Sequence, residues 1–283
     1  MSELLATYGV TMATKLVERR LARRLSTLRK AAGKAPADVE TAQICSRRTI
    51  NRIERAETLP AWPIVQALAE LYGASRAQVS ALVTMARTAH DQRAHSEKFE
   101  GLISDFALLP ELEEDAAEIM VYETEIWPGA IQPDAYARAV LVSNILGSPD
   151  HLDGALRLRS ARRRVILARG ASRPVRALVT EGALRRPIGG GETYEQSVVE
   201  LRGHLTDCPA LTMRVVPERV GAYASMCGSF ELLTFADPLD PAVVYTETLA
   251  RAEYAEDAGT VQRYRRVFDA AWQDAIDVME WEW

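Results

Sequence analysis

Apolar positions recur at helical spacing through the first third of the chain. Leu16, Leu21, Leu25 and Leu28 form one stripe within residues 14–32, arginines fill the rest of the circumference, and Gly33 stands where a C-cap belongs. Val39 and Ala42 then face inward from a short helix, and Ile50 and Ile53 from the next. After Pro60 and Pro63, Ile64, Leu68 and Leu71 make another stripe that ends at Gly73, and a fifth helix follows around Arg76–Arg87. Residues 88–98, TAHDQRAHSEK, are polar and lack periodicity, which predicts a linker.

The second half mixes periods. Helices are predicted over Glu111–Met120, Asp134–Leu146, Asp150–Arg169 and Thr193–Thr206, and from about Glu256 to the end, with Val261, Tyr264, Phe268 and Trp272 on one side. The first of these leads into a short apolar segment near Met120–Tyr122, and Pro174–Thr180, Leu211–Pro217, Ser229–Phe235 and Ala242–Thr248 read as strands. Gly189–Gly191 is a turn before a helix, since the spacing and the following residues are not those of a nucleotide loop. The expected architecture is a mainly α N-terminal bundle and an α+β C-terminal domain. Its boundaries are 1–14 for a flexible N-terminus, 15–88 for the bundle, 89–98 for the linker and 99–283 for the second domain.

Within the bundle, residues 33–56 have the outline of a helix-turn-helix: short helix, tight turn, second helix with an arginine-rich start. Ser46 sits at the N-cap position, where its hydroxyl can accept from first-turn amides. Arg47, Arg48, Thr49, Asn51 and Arg52 then occupy the leading and outer surface that such a helix brings to base edges in the major groove. Guanidinium pairs with guanine O6/N7 and the Asn amide with adenine. The plain alternative is a solvated helical hairpin, and charge argues against it. Residues 1–95 hold 15 Lys/Arg against 8 Asp/Glu, while the remainder holds 19 against 31. A basic module joined to an acidic one is the asymmetry expected when only one end meets phosphate.

Other classes fall away. No apolar run reaches 18 residues, and the start lacks the features of a signal peptide, so a cytoplasmic protein without membrane attachment is expected. Cys45, Cys208 and Cys227 are odd in number and far apart, which reads as reduced thiols. His90, His95, His151 and His204 have no zinc spacing, no nucleophilic triad is legible, and neither a catalytic residue, a metal nor a cofactor is expected.

Two blocks carry a family resemblance. SRRTINRIER (Ser46–Arg55) is similar to a recognition-helix segment, and the C-terminal half holds YETEIWPGAIQPDAYARAVL, EGALRRPIGG, VVPERVGAYASMCGSFELLTF and VVYTET in order. The chain thus resembles actinomycete phage-repressor-like (XRE-type) helix-turn-helix regulators with a long C-terminal domain, of the toxin–antitoxin-like regulator group. The resemblance implies a DNA-binding transcription regulator, often encoded beside a small partner protein. Four positions depart from the family pattern: Pro36 in place of Gln, Glu40 in place of a small Ala, Ile44 in place of the turn Gly, and Ala56 in place of Gly after the recognition helix.

The C-terminal domain supplies a candidate ligand pocket in Glu123, Gln132, Glu181, Tyr245 and Glu247, on or beside predicted strands, against the alternative that these side chains cap helices and pair with arginines. Double-stranded DNA, a homodimeric partner copy, a small-molecule effector and a small acidic or antitoxin-like protein are the expected partners. Two half-sites would supply the surface that one recognition helix lacks. The competing function is an enzyme or small-molecule-binding protein of a biosynthetic pathway that retains a degenerate helix-turn-helix. Trp127-Pro128-Gly129 reads as a packed corner, and Trp281 and Trp283 either dock onto a partner or fold back on the core.

Overall fold

The computed structural model describes residues 2–96, 108–144, 149–226, 228–238, 240–248 and 252–283. They fall into two compact units, one drawn from Met1–Leu108, Asp237–Asp240 and Thr248–Tyr254, the other from Leu109–Ala236, Pro241–Glu247 and Ala255–Trp283. His95, His151 and Cys227, read above from the sequence, have side chains outside this description.

In the first unit, α1 (Ser2–Ala31) lays its leucine stripe, with Leu16, Leu21 and Leu25 nearly inaccessible, against α3 (Arg47–Glu54), α4 (Trp62–Leu71) and α5 (Arg76–Ser96). Val39 from α2 (Pro36–Thr41), Ile50, Ile53, Val65, Leu68, Leu82 and Ala86 complete the core. Gly33 has φ 65°, as a helix-ending residue in the left-handed region does. Two segments are helical where the sequence pattern predicts irregular chain. Residues 2–14, expected to be a flexible N-terminus, belong to α1, and the expected linker is helical through Ser96. Residues 76–96 contain neither glycine nor proline, so nothing in the backbone stops the helix. Ala42 is also corrected: α2 ends at Thr41, Ala42 leaves the helical period as its C-cap, and its side chain is exposed.

The second unit is built on a mixed sheet in which its strands run in the order β5-β4-β1-β2-β3-β7. Its strands are β1 (Glu118–Glu123), β2 (Val175–Thr180), β3 (Leu211–Val216), β4 (Phe230–Thr234), β5 (Val243–Glu247) and β7 (Ile276–Asp277), while the first three residues of the short strand β6 (Ala252–Ala255) belong to the first unit. β1, β2 and β3 are parallel neighbours, while β4 runs antiparallel to β1 and to β5. One face packs on α11 (Ala258–Asp274): Met120, Tyr122, Leu178, Phe230, Leu232 and Val244 meet Phe268, Ala271 and Trp272. The alternate positions point to the opposite face. There Val121 pairs across to Glu231, and Glu231 to Tyr245.

α6 (Leu109–Asp115), α7 (Asp134–Asn144), α8 (Pro149–Leu167) and α10 (Gly191–Asp207) are the other long helices, and α9 (Glu181–Arg185) is a single turn capped by the Thr180 hydroxyl. The predicted helix over Glu111–Met120 stops at Asp115, because Glu118–Glu123 is claimed by a strand between β2 and β4. Trp127 is fully buried, stacked on Tyr136 with centroids 4.2 Å apart, as a packed corner should be. The Trp281–Trp283 segment folds back: the Trp283 ring meets Trp127 edge-on at 6.0 Å, and Arg185 lies over Trp281.

Candidate functional site

The helix-turn-helix is assembled as its residues dictate. Ser46 caps α3, its hydroxyl accepting from the Thr49 amide at 3.1 Å, and the two hydroxyls lie 2.9 Å apart. Arg47, Arg48, Asn51 and Arg52 are exposed on α3, and Thr49 is half-buried with its hydroxyl committed to the cap. Arg47 is held by Glu40, with Nε 2.8 Å from the carboxylate, and its backbone N–H also donates to Glu40 at 3.3 Å. Arg52 reaches Glu57 only at 3.9 Å. The side chains of Arg48 and Asn51 meet no partner among the described residues.

Behind this surface, Arg29 on α1 grips Glu54 with two bonds of 2.6 and 2.8 Å and donates to the Lys34 carbonyl at 2.7 Å, while Ser26 donates to the same carboxylate at 3.2 Å. Burial lowers the guanidinium pKa less than Glu54's hydrogen bond raises it, so Arg29 stays charged and the recognition helix is locked to α1. The sequence pattern does not reveal this pair, since the partners are on separate helices.

The four departures from the family pattern acquire local explanations. Pro36 starts α2, where a missing N–H costs nothing, and Asp38 accepts from the Ala35 amide at 2.7 Å in the same turn. Glu40 turns outward to Arg47 and leaves the helix packing undisturbed. The expectation that Ile44 carries the strained turn is overturned: Gln43 has φ 58°, and Ile44 is half-buried with its amide bonded to the Val39 carbonyl. An unbranched side chain tolerates that region better than a β-branched one. Ala56 does sit at φ 56°. Ala56→Gly should therefore stabilise the first unit by about 0.5–1 kcal/mol, read as a rise in denaturation midpoint, while a fall would mean that Ala56 packing outweighs the strain.

Arg20 and Arg24 of α1 converge on Asp240 at 2.8 and 2.6 Å. Arg20 and Asp240 are almost wholly enclosed, so this pair is part of the unit's interior.

In the second unit, four of the five expected pocket residues share the sheet face opposite α11. Glu123 and Glu247 end β1 and β5, Tyr245 lies in the middle of β5, and Gln132 joins them through Arg159 of α8, which donates to the Gln132 amide oxygen. The Tyr245 hydroxyl donates to Glu247 at 3.1 Å. Glu181 stands apart, paired with Arg185 at 2.9 Å and accepting from the Glu218 amide.

Sequence reasoning missed the arginines at the centre of this group. Arg162 is buried and grips Glu113 with bonds of 2.7 and 2.8 Å, with Glu231 3.8 Å away. Burial, then the charge of Glu113, holds the Glu231 carboxyl well above the usual range, so it keeps its proton. Arg159 has only Gln132 as a bonded partner among the described residues. Burial and the neighbouring Arg162 charge lower its pKa to about 10. Gly129 makes room for both: a Cβ there would lie 3.6 Å from Arg162 and 3.9 Å from Arg159. The available signal was two arginines three apart on one face of a helix, a spacing that aims both at the same neighbour.

Burial raises the Glu123 carboxyl from 4.5 to about 7, and the nearby Glu247 charge adds to this against the Ser229 hydrogen bond. The folded protein thus prefers neutral Glu123, and ionisation erodes stability as pH rises from about 4.5 to about 7. Glu123→Gln should remove that decline, which thermal melts across this window would show. Parallel pH profiles for variant and wild type would contradict it.

A family model described as a helix-turn-helix domain matches residues 20–82, and one described as a domain of unknown function (DUF5753) matches residues 106–280. No curated protein and no solved structure matches the chain. The first match supports a DNA-binding regulator. No helix among the described residues is long and apolar enough to cross a membrane.

Proposed function

This chain belongs to the DUF5753 family, and on that premise we propose that it is a sequence-specific, cytoplasmic transcription regulator of the XRE type whose C-terminal domain senses a small molecule. One observation carries the DNA-binding reading: α3 presents Arg48 and Asn51 exposed on its outer face, without a side-chain partner among the described residues, while Arg29–Glu54 fastens its inner face. Free donors on a rigid helix are what base readout in the major groove requires. Arg47 arrives tied to Glu40 and exchanges that exposed pair, which is weak, for a phosphate or base. A homodimer reading two half-sites supplies the remaining surface.

The supporting feature for sensing is Arg159, a half-buried charged group near Glu123 and Glu247 whose one bonded partner among the described residues, Gln132, is neutral. A ligand that brings an anionic group to Arg159 offsets the cost of desolvating its charge.

The test is sequencing of genomic fragments retained by the full chain, beside an Arg48→Ala/Asn51→Ala variant. A sharp motif that the variant loses is expected, with each substitution costing about 1–3 kcal/mol at its own base position. Equal retention by both proteins would exclude α3 as the reader. Glu40→Gln removes a negative charge from the interface and should tighten binding about threefold at low salt.

A further inference from the structure

The outer side of the α7–α8 pair holds a cavity of about 460 Å³ lined by Asp134, Arg138, Asp153, Leu156, Arg157, Ser160 and Arg164. The volume lies within the range of small-molecule sites, roughly 300–1,000 Å³. Its charges are unbalanced. Asp134 is already occupied, accepting from Arg163 at 2.8 Å and from Ser160 at 2.9 Å, and the Arg163 charge helps to hold its carboxyl below the ordinary value against the cost of burial. That leaves three exposed guanidiniums, Arg138, Arg157 and Arg164, facing one uncommitted carboxylate, Asp153.

None of the three has an ion pair or side-chain hydrogen bond among the described residues. Arg157 and Arg164 are seven apart on α8 and therefore share a face, with Arg138 on α7 opposite them. Asp153 lies four residues before Arg157 on the same helix, a spacing at which an acidic and a basic residue ordinarily pair, yet the two are not joined. Such a concentration of free guanidinium is unexpected in a region where residues 96–283 carry 31 acidic against 19 basic side chains. Guanidinium groups meet phosphate oxygens with paired N–H donors, and several around one cavity suit a group of charge near −2 better than a monocarboxylate.

We propose that this cavity is a binding site for a phosphate-bearing small molecule, with Arg138, Arg157 and Arg164 on the phosphate, Asp153 accepting from a hydroxyl or amine elsewhere on the ligand, and the Leu156 side chain as apolar wall. It is separate from the Arg159 cluster, whose residues face the sheet.

The experiment is calorimetric titration of the full chain with pyrophosphate, with succinate as a non-phosphate dianion, repeated on Arg157→Ala/Arg164→Ala. Both arginines are exposed and unpaired, so the variant should fold as wild type does, which its melting temperature checks. Pyrophosphate should bind wild type in preference to succinate and lose about tenfold in affinity per arginine removed. No binding to wild type, equal binding of succinate, or an unchanged variant would each overturn the site. A parallel titration with a random-sequence DNA duplex separates the two sources of phosphate. Unchanged duplex affinity in the variant upholds a small-molecule ligand, and a loss comparable to that for pyrophosphate reassigns the arginines to the DNA backbone and overturns the small-molecule proposal.

Discussion

Arg162→Ala should cost the sheet-bearing unit about 3–5 kcal/mol, because it leaves the Glu113 carboxylate buried without its cation. Burial works against the Arg162 charge, but Glu113's charge and its two hydrogen bonds outweigh it, and the guanidinium is held charged. The group ties together three elements distant in sequence: Glu113 on α6, Arg162 on α8 and Glu231 on β4. Four of the five tryptophans belong to this unit, so their fluorescence in urea follows its unfolding. Removing the charges together, in Arg162→Met with Glu113→Gln, should restore most of the loss, since the penalty comes from an uncompensated buried charge. A loss below about 1 kcal/mol in the single variant would mean that water reaches the Glu113 carboxylate and screens it.

Asp240→Ala should destabilise the helical unit by a similar amount, about 3–5 kcal/mol, by stranding Arg20, whose side chain is 6% exposed, and Arg24. The sign of the pH effect follows from the carboxyl. Burial pushes its pKa up, but the hydrogen bond and charge of Arg20, followed by those of Arg24, bring it below 3.8. Its contribution is therefore complete above the ordinary carboxylate value and disappears as pH falls through the lowered one. Hydrogen exchange of α1 amides at neutral pH should accelerate in the variant, and the acid-induced loosening of wild type should have no counterpart in Asp240→Asn. Unchanged exchange would assign Asp240 to the surface.

Both substitutions act on contacts that local pattern cannot reveal. Arg20 and Arg24 stand among the arginines that surround α1, and nothing in their spacing separates them from solvated neighbours, because the partner lies 220 and 216 residues away. The pair Arg159 and Arg162 was hidden in an arginine-rich run for the same reason. Glu123, Gln132, Tyr245 and Glu247 were legible as polar groups beside strands, but their common face depends on β1, β4 and β5 being neighbours in the sheet. Glu181 follows the same sequence logic and lands elsewhere, as the first residue of a single-turn helix.

The recognition segment is a different case. Ser46 as N-cap, Ile50 and Ile53 inward, and Arg47, Arg48, Asn51 and Arg52 outward all follow from a cap and a 3.6-residue period, which act within one turn of helix. The strands at Val175–Thr180, Leu211–Val216 and Val243–Glu247 were readable because local apolar alternation or β-branched runs mark them. β6, β7 and the strand identity of Glu118–Glu123 were not, since two to six residues carry too little pattern and are held by neighbours.

By itself, then, the sequence determined the helix-turn-helix, its exposed donors, the charge division and the α+β class, all properties written in periods of two to four residues. Only the tertiary structure decided which charges are spent and which are not: Arg29, Arg20, Arg24 and Arg162 lie on enclosed carboxylates, while Arg48, Arg138, Arg157 and Arg164 have no side-chain partner among the described residues. The reason is that a charged side chain reads the same in any local window, and burial beside a partner from a distant segment fixes its role.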